Sequence, residues 1–269
     1  MATSLPSVRN CQNLYIDNMH RHSSINKILA FLSLILYISC TDLSSNENAE
    51  SKEDYELLIN LEGESNFWLR RHLVDYFVMV ALGSEYGSDF KISRKWHSHM
   101  KVIVKGVHDP LLINELDKII NEINDLSQDG FRIERVGDDE ESNFTIFLGG
   151  KREYNLLFPG ASDLIEKNDG LFRLKMDDFV IKEGSLFVNS ELNSFEVKKH
   201  LLREELTQSL GLGNDIEHYA NSIFYQQPSR VTEYSTNDKE IIRLLYHPQM
   251  VAGLSEDSVR GILEGILGL

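Results

Sequence analysis

Hydrophobic periodicity in the last two thirds of the sequence changes between the helical and the strand pattern in a definite order. Apolar residues at three- to four-residue spacing predict a helix, whereas alternating apolar and polar residues predict a half-buried strand. The patterns predict helices over residues 67–82, 111–126, 195–212, 237–246 and 255–267 and strands over residues 100–105, 131–136, 144–148, 171–176 and 185–189. This order predicts an α+β fold with a twisted mixed sheet, two long helices and a small helical C-terminal part.

Charge and composition restrict the classes of protein that this chain can belong to. The 269 residues carry 27 Lys and Arg against 42 Asp and Glu, for a net charge of −15. A nucleic-acid binder needs clustered basic residues, so we expect no nucleic-acid partner. The chain contains only 5 Pro and 17 Gly, and 42% of its residues are hydrophobic. This composition excludes collagen-like and wholly disordered chains.

One continuous apolar run occurs in the sequence, at residues 28–38, with Ser33 as its only polar member. The run is too short to span a bilayer as a helix. Arg21 and Lys27 precede it, which is the layout of a secretory signal peptide. We therefore predict a signal peptide over residues 1–39, with Met19 as an alternative start.

The residues that end this signal resemble a bacterial lipobox, in which a Cys is acylated and becomes the first residue of the mature chain. They are Tyr37-Ile38-Ser39-Cys40, and Tyr37 departs from the aliphatic residue that is usual there. The resemblance implies an exported protein that is held at the cell envelope by lipid on Cys40. The polar, acidic composition after this Cys predicts a flexible linker over residues 40–54, and the lack of a Gly/Pro-rich seam further on predicts one domain over residues 55–269. The alternative is an ordinary signal peptide or N-terminal anchor with an incidental Cys, which gives a secreted, periplasmic or otherwise anchored protein.

A polar cluster is predicted near the end of the helix at residues 195–212. Glu204 and Gln208 are four residues apart and share one helix face, whereas the leucines at 202, 206 and 210 take another. Gly211 can adopt a positive φ and reverse the chain, so that Asn214 returns toward Glu204 and Gln208. Glu205 and Asp215 adjoin this three-pronged pocket.

This helix and turn resemble those of the metzincin zinc peptidases, which read H-E-x-x-H-x-x-G-x-x-H and are followed by a Met-turn. The resemblance covers about residues 95–250 and implies a metzincin-like, zincin-fold domain. The zinc histidines are replaced by Glu204, Gln208 and Asn214, while Glu205 matches the general base and Gly211 the turn glycine. Phe224 stands where the Met-turn has its Met, and we expect it to be a core aromatic beneath the pocket.

A closer resemblance is to a bacterial family of unknown function whose members are described as putative lipoproteins. Its members share the segment at residues 204–215, the Ser-Ile-Phe at 222–224 and a Leu-Tyr-x-Pro that here includes residues 246–248. His247 departs from the acidic residue expected there. This resemblance implies no particular activity.

The replaced ligands alter the chemistry that the resemblance implies. One carboxylate and two amide oxygens form a hard donor set that disfavours zinc, so we expect no cofactor, although a hard cation could bind. The leading hypothesis is a non-zinc pseudoenzyme that binds an unknown protein or peptide ligand at the cell envelope. Two alternatives stay open: an atypical metal-dependent hydrolase with Glu205 as general base, and a purely structural envelope protein.

Two further interpretations of the same residues stay open. A displaced ligand set could consist of His200, Glu204 and His218, because His200 lies four residues before Glu204 on the same helix. Glu204, Glu205 and Gln208 could also form a solvated helix face without a site.

Overall fold

Every helix and strand that the periodicity predicts is present, in the predicted order. The computed structural model describes residues 64–83, 91–137, 139–159 and 162–269, so the predicted signal peptide, Cys40 and the linker lie outside the described residues. The helices are α1 (Glu64–Leu82), α2 (Pro110–Leu126), α3 (Lys151–Leu157), α4 (Ser162–Ile165), α5 (Phe195–Gln208), α6 (Thr236–Leu245) and α7 (Glu256–Leu267). The strands are β1 (Lys95–Trp96), β2 (Met100–Gly106), β3 (Ile133–Arg135), β4 (Phe144–Gly149), β5 (Gly170–Asp177) and β6 (Val180–Asn189).

The described strands form one mixed sheet, which confirms the predicted α+β class. β3, β2, β4 and β6 are neighbours in parallel pairing, and the short β1 also runs parallel to β6. β5 pairs antiparallel with β6 along its whole length. The hairpin between β5 and β6 turns at Asp178 and Phe179, which have φ values of 47° and 64°. Two positive φ values are typical of the tight type I′ turn, which matches the twist of the strands.

The sheet separates a large core from a small one. Successive strand residues point to opposite faces of the sheet. Along β4, Ile146 and Leu148 therefore point into the large core, which α2 and α5 help to cover. Phe147 faces the small core beneath α3 and α4. Helix α1 packs against α6 and α7. Among the described helices, none is long and apolar enough to cross a membrane.

The starts of α2 and α5 are each fixed by one or two residues. Pro110 lies at the first position of α2, where its missing N–H costs nothing, and Asp109 caps that helix. Ser194 caps α5, because its side-chain oxygen accepts a hydrogen bond from the N–H of Val197.

Some predicted boundaries differ from the structure, and three short elements were not predicted. α5 ends at Gln208 rather than at residue 212, because Gly211 closes a turn by donating its N–H to the Gln208 carbonyl at 3.0 Å. β3 is shorter than residues 131–136, since the N–H groups of Phe131 and Arg132 donate to Asp129 and His99 instead of a neighbouring strand. β1, α3 and α4 carry too few apolar residues at regular spacing to be recognised.

Candidate functional site

A cleft of about 770 Å³ opens between β5, α5 and the loop over residues 225–230. β5 contributes Gly170, Leu171, Phe172, Arg173, Leu174 and Met176. These include consecutive residues, whose side chains point alternately to the two faces of the sheet. Both sets can line one cavity only if that cavity runs along the edge of the strand. The cleft therefore follows the edge of β5 that lies opposite β6.

The backbone hydrogen bonds show which groups of β5 face that edge. The N–H of Asn189 donates to the carbonyl of Asp169 at 2.8 Å, which makes these residues a hydrogen-bonded pair. Such pairs alternate along an antiparallel ladder. Leu171 and Arg173 therefore bond to β6, whereas the N–H and C=O groups of Phe172 and Leu174 point away from β6. No described strand pairs with β5 on that side.

Helix α5 divides its residues between the core and the cleft. Leu202 and Leu206 are fully buried in the large core. Glu204 and Gln208 lie on the face that lines the cleft. The spacing that defined these faces in the sequence therefore corresponds to two different environments in the structure.

Gln208 and Asp215 meet inside the cleft. The amide nitrogen of Gln208 donates to the Asp215 carboxylate at 2.6 Å. The Gln208 side chain is buried, and both residues line the cleft beside Glu204. Two carboxylates and one amide thus line this part of the cleft, together with the imidazole of His200.

Glu205 lies on the cleft floor beneath the first residue of β5. It is 8% exposed, and a Cβ added to Gly170 would stand 2.4 Å from its carboxylate oxygen. A larger residue at position 170 would therefore require the Glu205 side chain to move. The carboxylate proposed as a general base is covered by the strand rather than presented at the surface.

Asn214 does not converge with Glu204 and Gln208, which corrects the sequence-based expectation. Its side-chain amide donates to the backbone carbonyl of Met79 at 2.9 Å, at the end of α1. The same side chain packs on Gly83, where an added Cβ would stand 2.4 Å from the Asn214 Cγ. Asn214 is not among the residues that line the cleft. The chain reversal after Gly211 brings Asp215 into the cleft, and the adjacent Asn214 consequently points away from it.

Gly211 makes the turn that the sequence predicted. A close approach to a neighbouring backbone is a second reason why this position requires glycine. Its φ is +117°, and a Cβ would lie 2.1 Å from the carbonyl oxygen of Arg94. Arg94 itself lines the cleft, one residue before β1. The turn therefore joins the end of α5 to the backbone next to β1.

Phe224 belongs to the large core and does not line the cleft. It is fully buried, and its carbonyl accepts a hydrogen bond from the N–H of Ile216, which follows Asp215. This bond ties the segment after Gly211 to the Ser-Ile-Phe segment. Phe224 thus supports the cleft from below.

A buried carboxylate holds the Ser-Ile-Phe segment in place. Asp238, which is fully buried, accepts hydrogen bonds from Tyr76, Ser222, the N–H of Ile223 and the N–H of Ser235. Burial, together with the charge of Asp238, raises the pKa of Tyr76 far above its ordinary value. These bonds connect α1, the Ser-Ile-Phe segment and α6, which gives this segment a structural role.

The alternative ligand set of His200, Glu204 and His218 does not assemble. His200 lies 3.4 Å from Glu204, but its Nδ1 is within 2.7 Å of the Val231 carbonyl. Burial lowers the pKa of His200 from its ordinary 6.5, so the ring is neutral at pH 7 and donates Nδ1–H to that carbonyl. His218 is exposed, contacts the ring of Tyr219 and does not line the cleft. Within the described part of the chain, no group of three or more His, Cys, Asp or Glu could hold a metal ion.

Sequence reasoning assigned no role to Arg203, which anchors α5 to α2. Its fully buried guanidinium pairs with Glu122 at 2.5 Å and Glu115 at 3.0 Å, and lies 4.5 Å from the centre of the Tyr234 ring. A signal was present, because Arg203 is three residues before Leu206 and therefore shares the apolar stripe of the helix. A charged residue in such a stripe indicates a buried ion pair.

Comparison with known protein families places the chain in one family. The model of the family described as "Protein of unknown function (DUF2927)" matches residues 70–265, so the chain belongs to this family. The match extends from α1 to α7 and includes every cleft residue named above. No curated protein matches the chain.

Proposed function

We propose that the protein is a non-catalytic binding module whose cleft takes an extended polypeptide segment along the free edge of β5. An unpaired strand edge presents backbone donors and acceptors that a further strand can satisfy. The observation that carries this proposal is the direction of the Phe172 and Leu174 backbone groups, away from β6 on the side of the cleft. Backbone pairing would give such a ligand affinity with little dependence on its sequence.

Selectivity would come from the side of the cleft formed by α5. Glu204, Gln208 and Asp215 provide polar groups opposite the strand, whereas Phe172 and Leu174 are half-buried apolar residues. A peptide strand that pairs with β5 presents alternate side chains to different surroundings. One set would meet apolar surface, and a polar side chain of the ligand would meet the α5 residues.

We further propose that the domain is a metzincin-like scaffold without the metal chemistry of that class. The helix α5, Glu205 and the glycine turn at Gly211 support the resemblance. The residues do not fit a zinc ion: the Gln208 amide is bonded to Asp215, and Asn214 is bonded to the end of α1. Carboxylate and amide oxygens are also poor zinc ligands compared with imidazole or thiolate.

The strand-edge proposal predicts that Leu174→Pro weakens peptide binding at least tenfold. Proline removes an N–H that points to the cleft, and that N–H makes no bond to β6, so the sheet should persist. Loss of one hydrogen bond together with the added ring corresponds to about 1.4 kcal/mol or more. The measurement is calorimetric titration with peptides selected from a random phage-displayed library against the wild-type protein.

Leu174→Ala is the matched control, because it removes the same side chain and keeps the N–H. We expect it to bind more tightly than Leu174→Pro while the two variants, which lose the same half-buried side chain, unfold at similar midpoints. Equal affinities for the proline variant and the wild type would contradict binding along this edge. The hydrolase alternative would be supported, and the binding module rejected, by two results together. These are zinc bound at one ion per chain and peptide hydrolysis that is lost in Glu205→Ala.

We also propose that the protein is exported and held at the cell envelope by lipid on Cys40. Support comes from the apolar run at residues 28–38, the basic residues before it and the Ser-Cys pair that follows. Labelled palmitate should enter the wild-type protein in cells and should not enter Cys40→Ala. Equal incorporation into both proteins would exclude Cys40 as the attachment site.

A further inference from the structure

The first turns of α1 expose three consecutive apolar side chains, which we call the α1 patch. Phe67, Trp68 and Leu69 are 44%, 66% and 42% exposed. The rings of Phe67 and Trp68 contact each other edge to face. Two turns later the helix enters the large core, with Val74 and Phe77 buried.

The directions of these side chains restrict what could cover them. Successive residues on an α-helix are rotated by about 100°, so three in a row project over about 200° of its circumference. A groove on a rigid protein covers one side of a helix. A fluid apolar phase can surround the patch on several sides, and Trp rings are favoured at the level of lipid headgroups.

The patch is attached to the folded domain by side-chain contacts of the next two residues. The Arg70 guanidinium donates to the Leu267 carbonyl at 2.8 Å, and Arg71 pairs with Glu264 at 3.0 Å. Both contacts link α1 to α7, and the two helices also pack against each other, so the α1 patch is carried by a helix of the folded domain. Two arginines also directly follow the apolar residues, and cationic side chains with long apolar stems suit the edge of a bilayer.

The position of the patch in the sequence identifies the phase that could cover it. Only residues 41–66 separate it from Cys40, the predicted site of lipid attachment. Whatever its conformation, a segment of this length cannot extend beyond about 90 Å. The α1 patch thus lies in the first turns of the described domain, within about 90 Å of the predicted anchor and therefore within reach of the bilayer that holds it.

We propose that Phe67, Trp68 and Leu69 insert into the phospholipid headgroup region and dock the domain on the membrane that holds its anchor. The proposal rests on the lipid attachment suggested under the proposed function, but insertion of the patch can be measured separately. The overall net charge of −15 disfavours approach to anionic lipid, so the partner is a zwitterionic surface. Docking would fix the direction in which the cleft faces.

Tryptophan fluorescence provides a direct test, because the chain contains two Trp residues. Trp96 is 1% exposed and donates its indole N–H to the Ser209 carbonyl, so it is shielded from lipid. The full chain is bound to phosphatidylcholine vesicles that contain lipids brominated near the headgroup. We expect the brominated lipids to quench Trp68, and the Trp68→Phe variant, which retains Trp96, to lose that quenching.

Two double variants test the patch itself. Phe67→Ser with Leu69→Ser should strongly reduce quenching of Trp68, because two of the three apolar contacts with lipid are removed. Leu156→Ser with Leu157→Ser is the matched control on α3, where the leucines are 76% and 53% exposed, and it should leave quenching unchanged. Reduction of quenching by both pairs would indicate non-specific adsorption and overturn the proposal.

Cosedimentation with the vesicles separates this proposal from that of the anchor. The wild-type chain could cosediment although acrylamide in the water quenches Trp68 and the brominated lipids do not. That result would overturn docking and leave the anchor intact. Quenching that persists in a Cys40→Ser chain, with no acylation detected on the wild type, would support docking and exclude the anchor. Trp68 that is shielded before vesicles are added would show that protein covers the patch, and would also overturn docking.

Discussion

Gly211→Ala is expected to destabilise the protein by roughly 3 kcal/mol or more and to disturb the cleft at the same time. A left-handed conformation costs an L-residue about 1–2 kcal/mol, and forcing extra atoms into a packed site typically adds about 1–3 kcal/mol. Here the added Cβ would lie 2.1 Å from the backbone oxygen of Arg94, which cannot rotate away. Urea unfolding followed by fluorescence of the buried Trp96 measures the loss.

Two glycines of the same chain serve as controls for Gly211. Gly261 lies inside α7, is exposed and has nothing within 4 Å of an added Cβ. Gly261→Ala should therefore stabilise the protein by about 1 kcal/mol, the ordinary preference of a helix for alanine. Gly213→Ala meets only the Phe172 ring, at 3.3 Å, and should cost much less than Gly211→Ala. An unchanged unfolding midpoint for Gly211→Ala would show that β1 and the turn do not meet as described.

Local signals in the sequence were sufficient for all elements of the fold except the short β1, α3 and α4. The cap at Ser194, the proline at the start of α2 and the apolar stripe of α5 each depend on residues only a few positions apart. Such interactions are fixed by helix geometry, which is the same in every protein. Gly211 also belongs to this group as far as its turn is concerned. Its contact with Arg94 is a tertiary one, and nothing near Gly211 in the sequence indicates it.

The direction of Asn214 could not be obtained in the same way. Its partners are the Met79 carbonyl and Gly83, more than a hundred residues earlier in the chain. Which of two adjacent polar residues turns toward α5 depends on that distant surface. The motif implied a ligand-like position for Asn214, whereas the structure places Asp215 in the cleft instead. The free edge of β5 was likewise invisible, because a strand pattern does not show how many neighbours the strand has.

Arg203→Ala is expected to cost about 3–5 kcal/mol, the usual effect of removing one partner from a buried ion pair. The substitution leaves Glu115, which is 8% exposed, without the guanidinium that contacts it at 3.0 Å. Lys199 lies 3.3 Å from the Glu115 carboxylate and can compensate for part of the lost positive charge there. The Glu122 carboxylate also loses its contact with Arg203. Chemical unfolding of the variant measures the cost. The control is Arg71→Ala, whose exposed ion pair should contribute less than about 1 kcal/mol.

A combined variant separates the charge of Arg203 from its packing. If the cost arises from carboxylates left without a partner, then Arg203→Met together with Glu115→Leu and Glu122→Leu should recover most of the stability, as apolar replacement of buried ion pairs commonly does. If the guanidinium matters chiefly through its contact with the Tyr234 ring, the combined variant should stay as unstable as Arg203→Ala. The first result would mean that any apolar contact can attach α5 to α2. The second would mean that the position of α5, and with it the polar wall of the cleft, depends on the stacking of Arg203 on Tyr234.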